Sequence, residues 1–159
     1  MEPDEIKIIV RKMRTDELPP EARRWMALAK EAAGKAYAPY SHFHVGAAVA
    51  LSDGTVLTGN NQENAAFPSG LCAERVALFS AGAVYPDVTV RALALMAVKD
   101  GVVQDEISPC GSCRQVLLET ERRQRSPITV MLCGRDVVRI VDSAEQLLPV
   151  AFNLECSPG

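Results

Sequence analysis

The sequence has no excess of positive charge and no long apolar run. Its 159 residues include 17 lysines and arginines against 20 aspartates and glutamates, a formal net charge of -3. A chain of this charge offers no broad basic surface to a phosphate backbone, so we expect no nucleic-acid partner. No stretch approaches the roughly 20 apolar residues that span a bilayer, so we expect no membrane partner either.

The N-terminus also lacks the apolar segment of a secretion signal. It begins MEPDEIKIIVRKM, acidic at the start and then mixed, so we expect a cytoplasmic protein. The five cysteines are an odd number, and in a chain without an export signal they do not predict a disulfide framework. Metal binding or catalysis explains them better.

Hydrophobic patterning predicts a single α/β domain. Residues 1–20 are interpreted as an N-terminal extension with a possible edge strand, and residues 21–159 as one domain, large enough to bury a core. Within this domain the elements follow the order helix, strand, strand, helix, strand, helix, strand, strand, helix. The strand–helix–strand crossovers in the middle favour parallel pairing, so we expect a mixed sheet with helices on both faces.

The second helix of this order carries the first cysteine of interest. We predict it from Gly70 to Ala81, with Ser69 as its N-cap and Gly82 closing it. Cys72 then lies in the first helical turn.

The third helix is predicted to begin in the same style. Ser108 would be its N-cap and Pro109 its first residue, which places Cys110 and Cys113 one turn apart on the same side. Helix N-termini favour thiolate over thiol, and thiolates are ligands that zinc prefers. Because crossover helices begin at the same edge of a sheet, we expect the sulfurs of both helices to converge on one zinc ion.

The number of ligands decides between a structural and a catalytic zinc site. A closed structural site needs a fourth ligand, for which the candidates are Cys133, Cys156, His42 and His44. Cys133 ends an apolar strand and Cys156 lies in a polar tail, while both histidines stand where a strand begins. These positions favour three protein ligands and an open position for water, with a closed site and a redox C-x-x-C pair as the alternatives.

Glu74 would determine what such a water molecule does. Helical periodicity does not place it beside Cys72, because residues two apart on a helix do not share a face. The combined motif does. Residues 72–74 read CAE and residues 109–113 read PCGSC, the pattern of zinc deaminases in which the glutamate is the general acid/base and not a ligand.

With these motifs the chain resembles the small homotetrameric cytidine deaminases. The resemblance runs from about residue 36 to 152, through AYAPYSHFHVGAAV, TGNNQENAAFPSGLCAERVAL, ISPCGSCRQVLLE and LLPVAF. It implies a three-layer αβα sandwich around a five-stranded mixed sheet, one zinc ion per subunit and a homotetramer whose active sites are shared between subunits. It also implies a pyrimidine-salvage hydrolase that converts free cytidine and deoxycytidine to uridine and deoxyuridine and releases ammonia.

The resemblance assigns roles around the metal. It makes Cys72, Cys110 and Cys113 the zinc ligands and Glu74 the proton shuttle, and it implies that Arg75 hydrogen-bonds to the thiolates. Three thiolates around a divalent ion leave a formal charge of -1, which an adjacent guanidinium offsets.

It also assigns the substrate-binding residues. Phe43 is expected to pack on the pyrimidine, Asn61 and Glu63 to bind the sugar hydroxyl, and Phe152 to reach the active site of a neighbouring subunit. Ala73, between ligand and shuttle, belongs to the same set.

Four residues depart from the family pattern, and two of them flank the sugar-binding stretch. Gln62 and Phe67 are therefore candidates for altering substrate preference, whereas His44 and Asn60 remove no catalytic group. The rival functions are deamination of another cytosine compound, such as blasticidin S or cytosine in a polynucleotide, and a non-enzymatic zinc-stabilised interaction module.

Overall fold

The computed structural model describes residues 3–154, in which seven strands form one sheet flanked by three α-helices. The strands are Arg11–Arg14 (β1), Phe43–Leu51 (β2), Val56–Asn60 (β3), Val90–Lys99 (β4), Val102–Val103 (β5), Thr129–Cys133 (β6) and Val137–Val141 (β7). The helices are Pro20–Ala33 (α1), Ala73–Val84 (α2) and Gly111–Gln124 (α3). Short 3-10 helices cover Thr15–Glu17, Phe67–Ser69 and Ala144–Leu147.

The sheet is mixed, as predicted. Its order is β1-β7-β6-β4-β2-β3, with β5 paired to β4. Strands β4 and β6 are parallel and joined through α3, while the other pairs are antiparallel. The crossover prediction is therefore confirmed for β4 and β6, and β3 and β4 run in the same direction on either side of β2.

The sheet has seven strands instead of the expected five because two short strands extend it. Strand β1, from the N-terminal extension, pairs with β7 at the edge, where Arg11 lies opposite Ile140. Strand β5 returns along β4 through a tight turn at Asp100 and Gly101, whose φ angles of 52° and 77° suit a two-residue hairpin.

The two faces of the sheet carry separate cores. Alternate residues of β2 point to opposite sides, so Val49 packs with α2 and α3 whereas Ala48 packs with α1. Trp25 and Ala29 of α1 complete the second core. This arrangement confirms the predicted three-layer αβα sandwich, and no helix of the described residues is long and apolar enough to span a bilayer.

Gly59 sets the distance between β3 and the start of α2. A Cβ atom at this position would lie 2.5 Å from the carbonyl oxygen of Ala73 and 2.6 Å from the backbone nitrogen of Ala77. Only a glycine allows this approach, which brings the first turn of α2 directly over the end of β3.

The predicted start of α2 at Gly70 is wrong. The helix begins at Ala73 with Cys72 as its N-cap, because Leu71 is held extended by two backbone hydrogen bonds with Gln62. Ser69 instead ends a 3-10 turn.

The predicted end of α2 is also wrong, because Gly82 lies inside the helix. The helix continues to Val84 and ends at Tyr85, the residue before Pro86. A residue that precedes proline is disfavoured in helical conformation, which explains the later end.

Helix α3 begins at Gly111 with Cys110 as its N-cap, not at Pro109. The expected cap, Ser108, does not serve the helix, since its hydroxyl accepts a hydrogen bond from Arg114 at 3.0 Å. Cys72 and Cys110 therefore both occupy N-cap positions.

Candidate active site

Three thiols meet where α2 and α3 begin. The Sγ atoms of Cys72, Cys110 and Cys113 all lie within 4.8 Å of one another, and those of Cys72 and Cys110 are 3.8 Å apart. Tetrahedral zinc with Zn–S bonds of about 2.3 Å requires sulfurs about 3.8 Å apart. The predicted convergence of the thiols is confirmed, and the donor set is suited to one zinc ion.

No fourth ligand joins this group within residues 3–154. His42, His44 and Cys133 lie outside it, and Cys133 is buried in the core on the α1 side of the sheet. Cys156 lies outside the described residues. The cluster borders a pocket, as a site with an open position for water requires.

The thiols of Cys72 and Cys113 differ in their pKa. A hydrogen bond with the Cys113 thiol, supported by Arg75 and Cys110, lowers the pKa of Cys72 to about 5. The same contact and burial raise the pKa of Cys113. The cluster thus holds a thiolate near neutral pH even before a metal binds.

Arg75 provides the matching positive charge. Its Nη2 donates to Cys72 Sγ at 3.7 Å, and its buried Nε has no hydrogen-bond partner among the described residues. A cation with a donor to spare fits a site that collects thiolates and has an anionic character when it holds a divalent metal.

Glu74 lies beside the sulfurs with only 4% of its surface exposed. Burial raises the pKa of its carboxyl to about 7, and the neighbouring Cys72 adds to the rise. A carboxyl that gains and loses a proton near neutral pH is suited to general acid/base chemistry. Helical periodicity failed here because Cys72 is extended, with φ -73° and ψ 153°, and therefore does not follow the helix geometry.

The predicted substrate-binding residues line a pocket of about 750 Å³ above this cluster. Phe43, Asn61, Glu63 and Ala73 all border it. Its volume suits a small molecule. Phe152 does not border it and is 70% exposed, so the structure does not bring this residue to the pocket of its own chain.

Asn61 connects the pocket wall to the start of β2. Its Oδ1 accepts from the backbone N–H of Val45 at 2.7 Å, and its Nδ2 donates to the carbonyl of Phe43 at 2.9 Å. Each atom of the amide retains one further hydrogen-bonding position. Asn61 therefore fixes Phe43 and can still bind a ligand.

Glu63 is held by the turn that precedes Phe43. Its carboxylate accepts hydrogen bonds from the Ser41 hydroxyl and from the backbone N–H of Tyr40, the latter at 2.9 Å. These contacts lower the pKa of Glu63, and the hydrogen bond from the Ser41 hydroxyl contributes most. Glu63 is thus an ionised hydrogen-bond acceptor in the lining of the pocket.

Ser41 is a pocket residue that the sequence did not single out. Its hydroxyl donates to Glu63 and accepts from the N–H of Phe43 at 3.0 Å, which links the two predicted substrate contacts. The serine stands inside the motif APYSHF, but its role depends on a partner 22 residues away.

The family model for the cytidine and deoxycytidylate deaminase zinc-binding region matches residues 19–128. The cytidine deaminase of Sporosarcina psychrophila is 45% identical over 136 residues, which cover 85% of this chain and 93% of the relative. The chain belongs to the cytidine deaminase family. The cytidine deaminase of Mycobacterium tuberculosis H37Rv is 49% identical over 136 residues, covering 82% of this chain and 88% of the relative.

Solved structures of cytidine deaminases share the fold. The crystal structure of the Burkholderia pseudomallei cytidine deaminase aligns with a TM-score of 0.68 at 42% identity, covering 82% of this chain and 98% of that one. The crystal structure of the Mycobacterium tuberculosis cytidine deaminase aligns with a TM-score of 0.66 at 35% identity, covering 84% of this chain and 98% of that one. The predicted family, fold, deaminase class and zinc cofactor are confirmed.

Proposed function

We propose that this chain deaminates free cytidine and deoxycytidine to uridine and deoxyuridine, with release of ammonia, as a step of pyrimidine salvage. The observation that carries the proposal is the buried Glu74 carboxyl next to three clustered thiols, in a pocket that the Glu63 carboxylate also lines. The relatives named cytidine deaminase, at 45% and 49% identity, support the same substrate class.

In this proposal Cys72, Cys110 and Cys113 hold one zinc ion per subunit. When bound there, zinc with an open position would lower the pKa of a water molecule at that position. Arg75 would offset the formal charge of -1 that three thiolates leave on a divalent ion.

Glu74 moves the protons of the reaction. A water oxygen forms a bond to the ring carbon that carries the exocyclic amine, and the bond from that carbon to the amine breaks. Glu74 takes one water proton and delivers it to the ring nitrogen, and it then helps transfer the second to the departing amine, which leaves as ammonia. Its pKa of about 7 allows both directions of transfer.

Substrate binding would use pocket residues other than the cysteines. Phe43 packs on the pyrimidine, Ala73 borders the base, and Asn61 and Glu63 bind the sugar hydroxyl. An ionised carboxylate at the sugar favours a neutral nucleoside over a phosphorylated one, because a phosphate would meet a like charge. Contacts with the sugar supply binding energy away from the reacting carbon.

Assembly and location complete the proposal. Phe152 is highly exposed and lies outside its own pocket, which supports a homotetramer in which it enters a neighbour's site. The free thiols of the site need a reducing compartment, which supports a cytoplasmic location. Residues 1–20 would form an extension joined to the catalytic domain, residues 21–159, through β1. A sedimentation measurement that found a monomer would contradict the role of Phe152.

Ammonia release tests the substrate directly. The zinc-loaded protein would be mixed in turn with cytidine, deoxycytidine, a cytosine-containing single-stranded oligonucleotide and blasticidin S. We expect turnover with the two nucleosides and none with the oligonucleotide. Turnover only with blasticidin S or the oligonucleotide would replace the proposed substrate, and zinc binding without any turnover would favour a non-enzymatic module.

A further inference from the structure

Arg114 directly follows a metal-site cysteine, yet its hydrogen bonds go to oxygen atoms. Its Nε donates to the carbonyl of Pro109 at 2.9 Å and its Nη2 to the Ser108 hydroxyl at 3.0 Å. Its Nη1 donates to the carbonyl of Leu147 at 3.0 Å. One planar guanidinium therefore joins two segments of the chain that are almost 40 residues apart in sequence.

The first of these segments leads into Cys110. Ser108 and Pro109 come immediately before this cysteine, which caps α3 without a side-chain hydrogen bond and is exposed. Residues 108 and 109 lead the chain into this cap, and Arg114 holds Pro109 through its carbonyl and Ser108 through its hydroxyl.

The second segment is itself anchored to α3. Glu121 lies seven residues after Arg114, on the same side of the helix, and is buried. Its carboxylate accepts from the backbone N–H of Ala144 at 2.7 Å and from the Ser143 hydroxyl at 2.5 Å. The 3-10 helix that ends at Leu147 is thus fixed at its start by Glu121 and at its end by Arg114.

We infer that Arg114 is a positioning residue for the metal site, which orients Cys110 by tying residues 108–109 to the anchored segment 143–147. Groups that orient metal ligands commonly affect metal affinity 10- to 100-fold when they are removed. The inference rests on the three-cysteine zinc site and not on the identity of the substrate.

The test compares zinc retention in the full-length, zinc-loaded protein and its variants. Transfer of zinc to a chromophoric chelator would be followed for the wild type, Arg114→Gln and Arg114→Lys. We expect zinc affinity to fall about 10- to 100-fold in Arg114→Gln. The zinc affinity of Arg114→Lys should lie between those of the wild type and Arg114→Gln, because a single ammonium cannot span the three acceptors. If Arg114→Gln does not fold, Arg114→Lys carries the comparison.

Arg123→Gln is the matched control. Arg123 lies on the same helix, is exposed, and borders a pocket lined by Gly82 and Tyr85 that includes no residue of 108–110 or 143–147. This variant should retain zinc like the wild type.

Melting temperatures with and without zinc separate positioning from general stability. If Arg114 positions the site, the stabilisation that zinc provides should shrink in Arg114→Gln. Wild-type zinc retention in Arg114→Gln, with equal losses of melting temperature in the two forms, would overturn the inference alone. A wild-type protein that binds no zinc would overturn the proposed function as well.

Discussion

Helices α2 and α3 begin with the same type of cap but carry different side chains after it. Each has a cysteine at its N-cap, Cys72 or Cys110, with an extended backbone at that residue. Two residues later the helices differ, because α2 carries the buried Glu74 and α3 carries the exposed Ser112. The shared cap geometry supplies two of the three sulfurs, whereas the proposed proton-transferring group comes from α2.

The arginines near the two caps also differ in their contacts. Arg75 directs its guanidinium to the sulfur of Cys72, while Arg114 directs its own to the Pro109 and Leu147 carbonyls. These contacts fit the proposed roles, in which the start of α2 supplies charge compensation and proton transfer and the start of α3 holds a metal ligand in place. Single substitutions on the two helices can test this difference.

Loss of a cap cysteine should have the largest effect, and the same effect in both helices. We expect Cys72→Ala and Cys110→Ala each to lose zinc and deaminase activity together, because two thiols do not complete the ligand set. Metal analysis and ammonia release would measure this. Cys133→Ala, which removes a buried thiol outside the cluster, should keep zinc. A cap variant that retained both metal and turnover would show that the ligand set is misassigned.

Glu74→Gln should separate chemistry from metal binding. The amide cannot carry the proton, so we expect turnover of cytidine to fall by roughly 10²- to 10⁴-fold or more, the range for a general acid/base, with zinc content unchanged. Ser112→Ala, at the equivalent position of α3, is the control and should keep wild-type turnover. Surviving activity in Glu74→Gln would mean that another group transfers the proton.

The motif sufficed to find the metal-site residues, but not their geometry. The pattern CAE followed by PCGSC identified Cys72, Glu74 and both cysteines of α3 without a structure. It did not show that Cys72 is an N-cap, and for that reason periodicity argued against a contact that the fold makes. The extended backbone of Cys72, directly after the bridge between Leu71 and Gln62, resolves the conflict.

The errors at the starts of the two helices arise from contacts between distant residues. Ser69 and Ser108 have the chemistry of N-caps, but Leu71 is held extended by Gln62 and Ser108 bonds to Arg114. The order of helices and strands along the chain, and a mixed sheet with helices on both faces, followed from local hydrophobic patterning, which the sequence reports well. Ser41 was missed because its partner Glu63 is distant in the chain.

A smaller effect, on stability, is expected from substitution of two glycines. Gly59 lies in β3 against the start of α2, and Gly111 lies in the first turn of α3. Gly59→Ala would push a Cβ atom into the backbone of Ala73 and Ala77, with both contacts under 2.7 Å, so we expect a loss of about 1–3 kcal/mol in stability. Gly111→Ala, the first residue of α3, meets open space and should be neutral or gain about 0.4–1 kcal/mol. Urea unfolding would measure both. Equal stability of the two variants would refute the tight contact between β3 and α2.

Arg75→Gln should have the smallest effect on turnover, and it tests whether the two arginines differ as their contacts indicate. Without the guanidinium 3.7 Å from Cys72, the negative charge of three thiolates is no longer offset, so water at the open position should be less acidic. We expect turnover per bound zinc to fall about tenfold, which corresponds to about 1.4 kcal/mol. Arg75→Lys, which keeps the charge as a point, should recover part of the loss.

The decisive comparison is between Arg75→Gln and Arg114→Gln measured side by side. If the starts of α2 and α3 are specialised, Arg75→Gln loses turnover per bound zinc and Arg114→Gln loses zinc affinity. The two defects then appear in different measurements. If both variants lost zinc to the same extent and kept their turnover per zinc, the arginine of α2 would be a second positioning group. The separation of chemistry in α2 from support in α3 would then be wrong, because charge compensation would play no part in how this site lowers the barrier.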